Sequence, residues 1–138
     1  MNYEFRVMSN EIKNESIIAK KAYAFAIDIV KLYKNLTIDN KEFVLSKQLL
    51  RSGTSIGANI NEAVSGQSKR DFVHKLSIAL KEARETSYWL NLLKDSDFID
   101  HTNFDEIDKK CNEIIKILSS IILTTKEKYF NTRSTHNS

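Results

Sequence analysis

The sequence predicts an all-α chain in which four amphipathic helices pack as an up-down antiparallel bundle. Three observations carry that expectation. The 138 residues contain no proline and only three glycines (Gly53, Gly57 and Gly66), a composition that suits long helices with few connections. Apolar residues recur at alternating spacings of three and four over long segments, the period of a helix with one buried face. No segment shows the alternation of a half-buried strand or the turn chemistry of a hairpin. A chain of this length fits one domain. It divides into a flexible amino-terminal segment over 1–15, the bundle over 16–130, and a polar, disordered tail over 131–138.

The first helix is expected from Ser16 to Leu36. Ile18, Ala22, Phe25, Ile29, Leu32 and Leu36 form a heptad seam along it. A second seam of Ala19, Tyr23, Ala26, Val30 and Tyr33 runs beside the first. Two adjacent seams are wider than one partner helix covers, so this helix is either wedged between two others or touches another subunit. The second helix is expected from Lys41 to Ser65, capped by Asp39 or Asn40. Its inner stripe is Leu45, Leu49, Gly53, Ile56, Ile60 and Ala63. Gly53 and Gly57 each cost about 1 kcal/mol relative to alanine in a helix interior, which points to a neighbouring backbone at close range. Gly66 is expected to end the helix in the left-handed conformation.

Ser68-Lys69-Arg70-Asp71 reads as a capping box opening the third helix, which continues to Leu93. Phe72, Leu76, Ala79, Ala83, Leu90 and Leu93 form its inner stripe, widened by Val73, Leu80 and Trp89. The fourth helix opens after Thr102 or Asn103 and runs to Tyr129. Its seam is Phe104, Ile107, Cys111, Ile114, Leu118 and Ile121, with Ile115, Ile117, Ile122 and Leu123 beside it. The three connections are short, which makes sequential neighbours antiparallel.

Composition narrows the function. One cysteine excludes an internal disulfide and any multi-cysteine metal site, and fits a reducing compartment. No apolar run reaches the ~18 residues of a membrane span, and the first residues lack the apolar core of a secretory signal. A cytoplasmic protein with no membrane partner is expected. Net charge is only +3, but it is unevenly spread. Asp95 to Asp108 holds six acids and no lysine or arginine, so the other segments carry 21 bases against 12 acids, a net of +9. That polarises the molecule's field, or else it is a solvated acidic turn suited to the start of the next helix.

Catalytic constellations are missing. A di-iron bundle presents Glu-x-x-His twice, whereas Asp71-Phe72-Val73-His74 occurs once. Arg70 and His74 lie close together on one helix, but no partner or pocket for a general base is visible. Cys111 sits on an apolar seam, as packed core does. No phosphate-binding glycine loop or zinc spacing exists. The expectation is a protein that is not an enzyme, with no cofactor, metal or small-molecule substrate.

Arg51, Ser55, Asn59 and Glu62 share one side of the second helix. At about 100° per residue that side is read as lying opposite the Leu49, Gly53, Ile56, Ile60 stripe. Short hydrogen-bonding side chains are mediocre helix formers, and on an exposed side they suit either a contact with another chain or ligand, or an ordinary wet face. Lys69, Arg70 and Lys75 cluster around the next turn and are candidate phosphate contacts at a helix start.

The run from Gln48 to Ala63, with Arg51-Ser52-Gly53-Thr54-Ser55-Ile56-Gly57-Ala58-Asn59-Ile60-Asn61-Glu62 at its centre, resembles the signature of the four helix bundle protein family. Its founding members are encoded in intervening sequences of bacterial 23S ribosomal RNA genes. The match continues through Ser68, Asp71-Phe72, Leu76-Ser77-Ile78-Ala79 and Glu82-Ala83 to Leu90. The resemblance implies a ring-like homopentamer with a central channel. A relative, the accessory variability protein of diversity-generating retroelements, binds reverse transcriptase and nucleic acid through a basic pentamer surface. By that resemblance Arg51, Ser55, Asn59 and Glu62 belong to a subunit contact or binding surface, and the partners are further copies of the chain with RNA or a reverse transcriptase. Most members have no established function. The alternative is a protein-protein adaptor that binds no nucleic acid.

Overall fold

A computed structural model describes residues 3–130, with side chains from Glu11 onward. Four helices follow one another: α1 (Tyr3–Ile38), α2 (Leu45–Val64), α3 (Lys69–Asp95) and α4 (His101–Tyr129). Among the described residues there is no strand. Each helix packs against its neighbours in sequence, and α4 returns to α1, while among the described residues the backbones of the diagonal pairs stay apart. Cross-helix contacts prove the antiparallel sense. Arg51 pairs with Glu85 and Glu62 with Lys75, and Glu11, Lys21 and Asp28 pair in turn with Lys128, Glu113 and Lys110. The bundle is therefore up-down, as the short connections predict.

The core is the expected one with local changes. All six first-seam residues of α1 are buried, as are Leu49, Ile56, Ile60 and Ala63 of α2 and all six inner-stripe residues of α3. On α4 the buried line runs Phe104, Cys111, Ile114, Leu118, Ile122, Thr125. Ile122 replaces the expected Ile121 because a straight helix drifts by about 20° per heptad against a strict seven-residue repeat. Ser46, Ser52 and Thr86 are also fully buried, which apolar seams alone did not anticipate.

The helix starts differ from the expected ones in three places. The first helix begins at Tyr3, not Ser16, so residues 3–15 continue α1. Glu11 holds this extension to α3 and α4: its carboxylate accepts from Lys128 at 2.8 Å and from the Tyr129 hydroxyl at 3.1 Å, with Lys69 at 3.7 Å. The tail over 131–138 lies outside the described residues. Neither Asp39 nor Asn40 caps α2. Glu42 does, accepting from the amides of Val44 (3.1 Å), Leu45 (2.8 Å) and Ser46 (2.7 Å), while Asn40 donates to the Phe98 carbonyl. Asp100 rather than Thr102 or Asn103 caps α4, accepting from Asn103 N at 2.8 Å. The Ser68 cap of α3 is as read, accepting from Asp71 N at 3.0 Å.

The glycines divide by cause. A Cβ on Gly53 would stand 2.9 Å from both γ carbons of the buried Ile29, so α1 and α2 approach more closely there than alanine allows. One turn on, a Cβ on Gly57 would meet the Ala22 carbonyl at 3.6 Å, an ordinary contact. Gly66 has no positive φ, which corrects the left-handed cap expected there; Lys41 and Asp97 hold the left-handed positions instead. Space at 66 is tight rather than closed: a Cβ would lie 2.5 Å from Asp71 Oδ2, the end of a side chain that can turn away, and 3.0 Å from the Ala63 carbonyl.

These geometries give opposite signs for two similar substitutions. Gly53→Ala gains helix propensity but must displace a packed β-branched side chain, for a net loss of about 1–2 kcal/mol. Gly57→Ala gains about 0.5–1 kcal/mol, because the space exists. Urea midpoints of the two variants check both. The Glu42 cap adds a pH dependence. Burial alone would raise its carboxyl, but the Leu45, Ser46 and Val44 amides with the Ser46 hydroxyl prevail and lower it. Its contribution is therefore present above the ordinary carboxylate range and lost as pH falls through the lowered folded value. Glu42→Ala should cost about 1 kcal/mol at neutral pH and much less in acid, read from denaturation curves at both.

Candidate functional site

Along the flank where α2 meets α3, the predicted residues form one continuous polar strip. Arg51 Nη2 lies 3.2 Å from Glu85 Oε1, which also accepts from Trp89 Nε1 at 3.3 Å. At the other end Glu62 Oε2 lies 2.9 Å from Lys75 Nζ. Between them Ser55 Oγ donates to the Arg51 carbonyl at 2.6 Å, and Asn59 Nδ2 to the Ser55 carbonyl at 2.8 Å. Ser55 and Asn59 are half-buried; Arg51 and Glu62 are exposed. The strip does not stand opposite the core stripe, as the sequence reading had it. Its mean direction is about 135° from that stripe at 100° per residue, which brings it over α3.

Inside the strip is a layer that the periodicity did not reveal. Ser52 and Thr86 are fully buried, with their hydroxyls 3.0 Å apart across the α2–α3 seam. Their outlets are the Leu49 and Glu82 carbonyls. Thr86 fills the gap between Ala83 and Leu90 in the inner stripe of α3; that gap was the available signal. The antiparallel register sets Glu82 between the Arg51–Glu85 and Glu62–Lys75 pairs. Its Oε2 is buried with no hydrogen-bond partner among the described residues. A carboxylate oxygen shielded from water and left without a donor is costly, typically 1–3 kcal/mol or more.

Lys69, Arg70 and Lys75 do not form a shared phosphate cradle. Lys69 is engaged by Glu11 and lies over the Tyr129 ring at 5.0 Å and the Phe72 ring at 5.6 Å. Arg70 lies over the Phe130 ring at 5.7 Å, and Lys75 faces Glu62. The first two brace the start of α3 against the ends of α1 and α4, and the third ties α3 to α2. The hollow at the α2–α3 turn is lined in part by Glu62 and Asp71, which oppose an anion. Beside the strip Tyr88 meets Trp89 edge-on at 5.1 Å.

Among the described residues no group of three or more His, Cys, Asp or Glu side chains is arranged to hold a metal. No described helix is long and apolar enough to cross a membrane. Cys111 is fully buried, with Sγ donating to the Ala83 carbonyl at 3.3 Å. Burial, reinforced by Asp108, pushes its thiol up to about 12. The thiolate is the reactive form, so at pH near 8 the folded protein should react with a thiol reagent orders of magnitude more slowly than the unfolded chain. Following reagent uptake with and without guanidinium checks this.

The sequence profile described as 23S rRNA-intervening sequence protein matches residues 14–120. No curated protein matches the chain. A solved structure from Bacteroides thetaiotaomicron VPI-5482, described as a protein with unknown function from the S23 ribosomal protein family, is 52% identical. The match covers 79% of this chain and 97% of that one, with a TM-score of 0.78. The matched span takes in the α2–α3 strip and most of all four helices, and on that evidence the chain belongs to the 23S rRNA-intervening sequence protein family.

Proposed function

We propose that the protein is a non-enzymatic homo-oligomeric scaffold, a ring of five copies, that binds RNA or a nucleic-acid enzyme through repeated basic residues. The observation that carries this reading is the sorting of charge. Six acids are gathered between Asp95 and Asp108, at the end of the bundle where α3 turns into α4, and the remainder of the chain is left at +9. A ring repeats that basic body around an axis, which turns a modest charge per chain into an extended positive field. The contacts are to phosphates, so they set affinity without reading bases. Subunits meet along the α2–α3 strip, which carries Arg51, Ser55, Asn59 and Glu62 on α2 and the orphaned Glu82 oxygen on α3.

A second reading has its own support. Lys69, Arg70 and Lys75 are already engaged within the chain, which favours an adaptor whose α2–α3 strip and acidic turn dock a partner protein.

Light scattering of the purified protein tests the assembly. The ring requires about 80 kDa, five times the 15.9 kDa chain; a particle that stays at the single-chain mass at every concentration ends both the ring and its charge argument. Retention on immobilised RNA tests the partner. Binding is expected at about 50 mM salt and falls steeply as salt rises. Indifference to RNA at low salt, with nuclease-resistant recovery of one lysate protein, replaces this reading with the adaptor.

A further inference from the structure

The outward face of α1 carries a pattern that neither the bundle core nor the α2–α3 strip uses. Lys13, Ser16, Lys20, Tyr23, Ile27, Lys31, Lys34 and Ile38 follow one another at spacings of three and four, so they share one face. That face lies opposite the buried Ile18, Ala22, Phe25, Ile29, Leu32, Leu36 seam, and all eight residues are exposed. Four of the eight are lysines and none is acidic. None of the four lysines is ion-paired with another described residue.

The acids of the described part of α1 lie elsewhere. Glu11 faces Lys128 and Lys69, Asp28 faces Lys110, and Glu15 is half-buried on the opposite flank. An exposed helix face ordinarily mixes the two signs, since Glu–Lys pairs one turn apart stabilise it and like charges there oppose it. On this face the uncompensated charge is left for something outside the chain. Between the cations stand Tyr23, 70% exposed, and Ile27, 42% exposed. An aromatic ring at full reach, flanked by ammonium groups a few turns apart on a straight helix, is the arrangement on which single-stranded nucleic acids lie. Their phosphates meet the cations and a base stacks on the ring. From Lys13 to Lys34 the face runs about 30 Å, the reach of a short single strand. An anionic membrane fits less well, because it requires a broad apolar face to insert, and the apolar face of α1 is spent on the core.

We infer that this face of α1 is a single-stranded RNA-binding surface, with Lys13, Lys20, Lys31 and Lys34 contacting phosphates and Tyr23 stacking a base. The inference rests on the nucleic-acid reading above and moves its contacts away from Lys69, Arg70 and Lys75.

The test is fluorescence anisotropy of a labelled oligouridylate of about ten nucleotides against salt, with the full-length protein. Four phosphate contacts give a slope of log affinity on log salt of about −2.8, roughly a 50-fold loss between 50 and 200 mM. Lys20→Gln with Lys31→Gln should halve the slope, leaving roughly a 7-fold loss over the same range. Tyr23→Ala should weaken binding roughly 5- to 150-fold, the range for one lost base stack, with the salt slope unchanged. Lys109→Gln with Lys116→Gln, on the exposed side of α4, should behave as the unaltered protein. Circular dichroism establishes that each variant is folded.

If the unaltered protein binds and the α1 variants match it in affinity and slope, the inference is overturned while the RNA reading stands. If the unaltered protein ignores the oligonucleotide at 50 mM salt, both fall. Binding to phosphatidylserine vesicles with the same lysine dependence, and not to RNA, overturns it in favour of a membrane surface.

Discussion

Everything in this bundle is set by how closely α1 and α2 can approach. At Gly53 the missing side chain lets the helix lie directly on Ile29, and at Gly57 it lies against the Ala22 backbone. The Gly53–Ile29 contact sets the separation of the pair, and an ordinary contact follows one turn on at Gly57. Helices packed in contact have few such solutions, because side-chain ridges must enter grooves. With α1 and α2 registered, α3 has one seam left to occupy along α2, and α4 closes the square between α3 and α1. The propensity lost by two glycines in a helix interior is offset by packing that no larger residue permits at position 53.

The same arrangement explains why the α2–α3 seam differs from the others. The α1–α2 contact is apolar and tight, and the α1–α4 contact is bridged by surface ion pairs, Lys21 with Glu113 and Asp28 with Lys110. Exposed pairs of that kind contribute about 0–1 kcal/mol each. The α2–α3 seam pairs two buried hydroxyls across its helices and buries a carboxylate oxygen beneath an outer polar strip. Polar groups out of water specify geometry more sharply than apolar ones, because each needs its partner at a set distance and angle. The strip therefore fixes how α2 and α3 face each other, and it leaves one acceptor without a donor.

Most of the fold was legible in the sequence, and the exceptions share a physical pattern. Whole seams were readable because burial repeats with the helix period: Ile18 to Leu36 came through unchanged. The start of α2 is not legible from its neighbouring residues, because Glu42 reaches forward along a longer side chain to three amides. The stretch of α1 before Ser16 lies outside the apolar seam, and the Glu11–Lys128 contact that ties it to α4 joins residues 117 apart, which local pattern does not contain. At the candidate site the helix period puts Arg51, Ser55, Asn59 and Glu62 on one side of α2, but that side adjoins α3, which the sequence did not reveal. The grouping of Lys69, Arg70 and Lys75 reflected proximity in sequence; the fold turns them toward Glu11, Phe130 and Glu62. Charges close in sequence share a patch only when the helix period and the packing agree.

Cys111 carries a practical corollary. It is the only cysteine of the chain, and the interface of α3 and α4 seals it. The folded protein thus behaves toward sulfur chemistry as though it had no thiol. A single cysteine engineered anywhere on the outside becomes a unique attachment point for a spin label or dye, so distances between copies in an assembly become measurable without first stripping a native group from the interior.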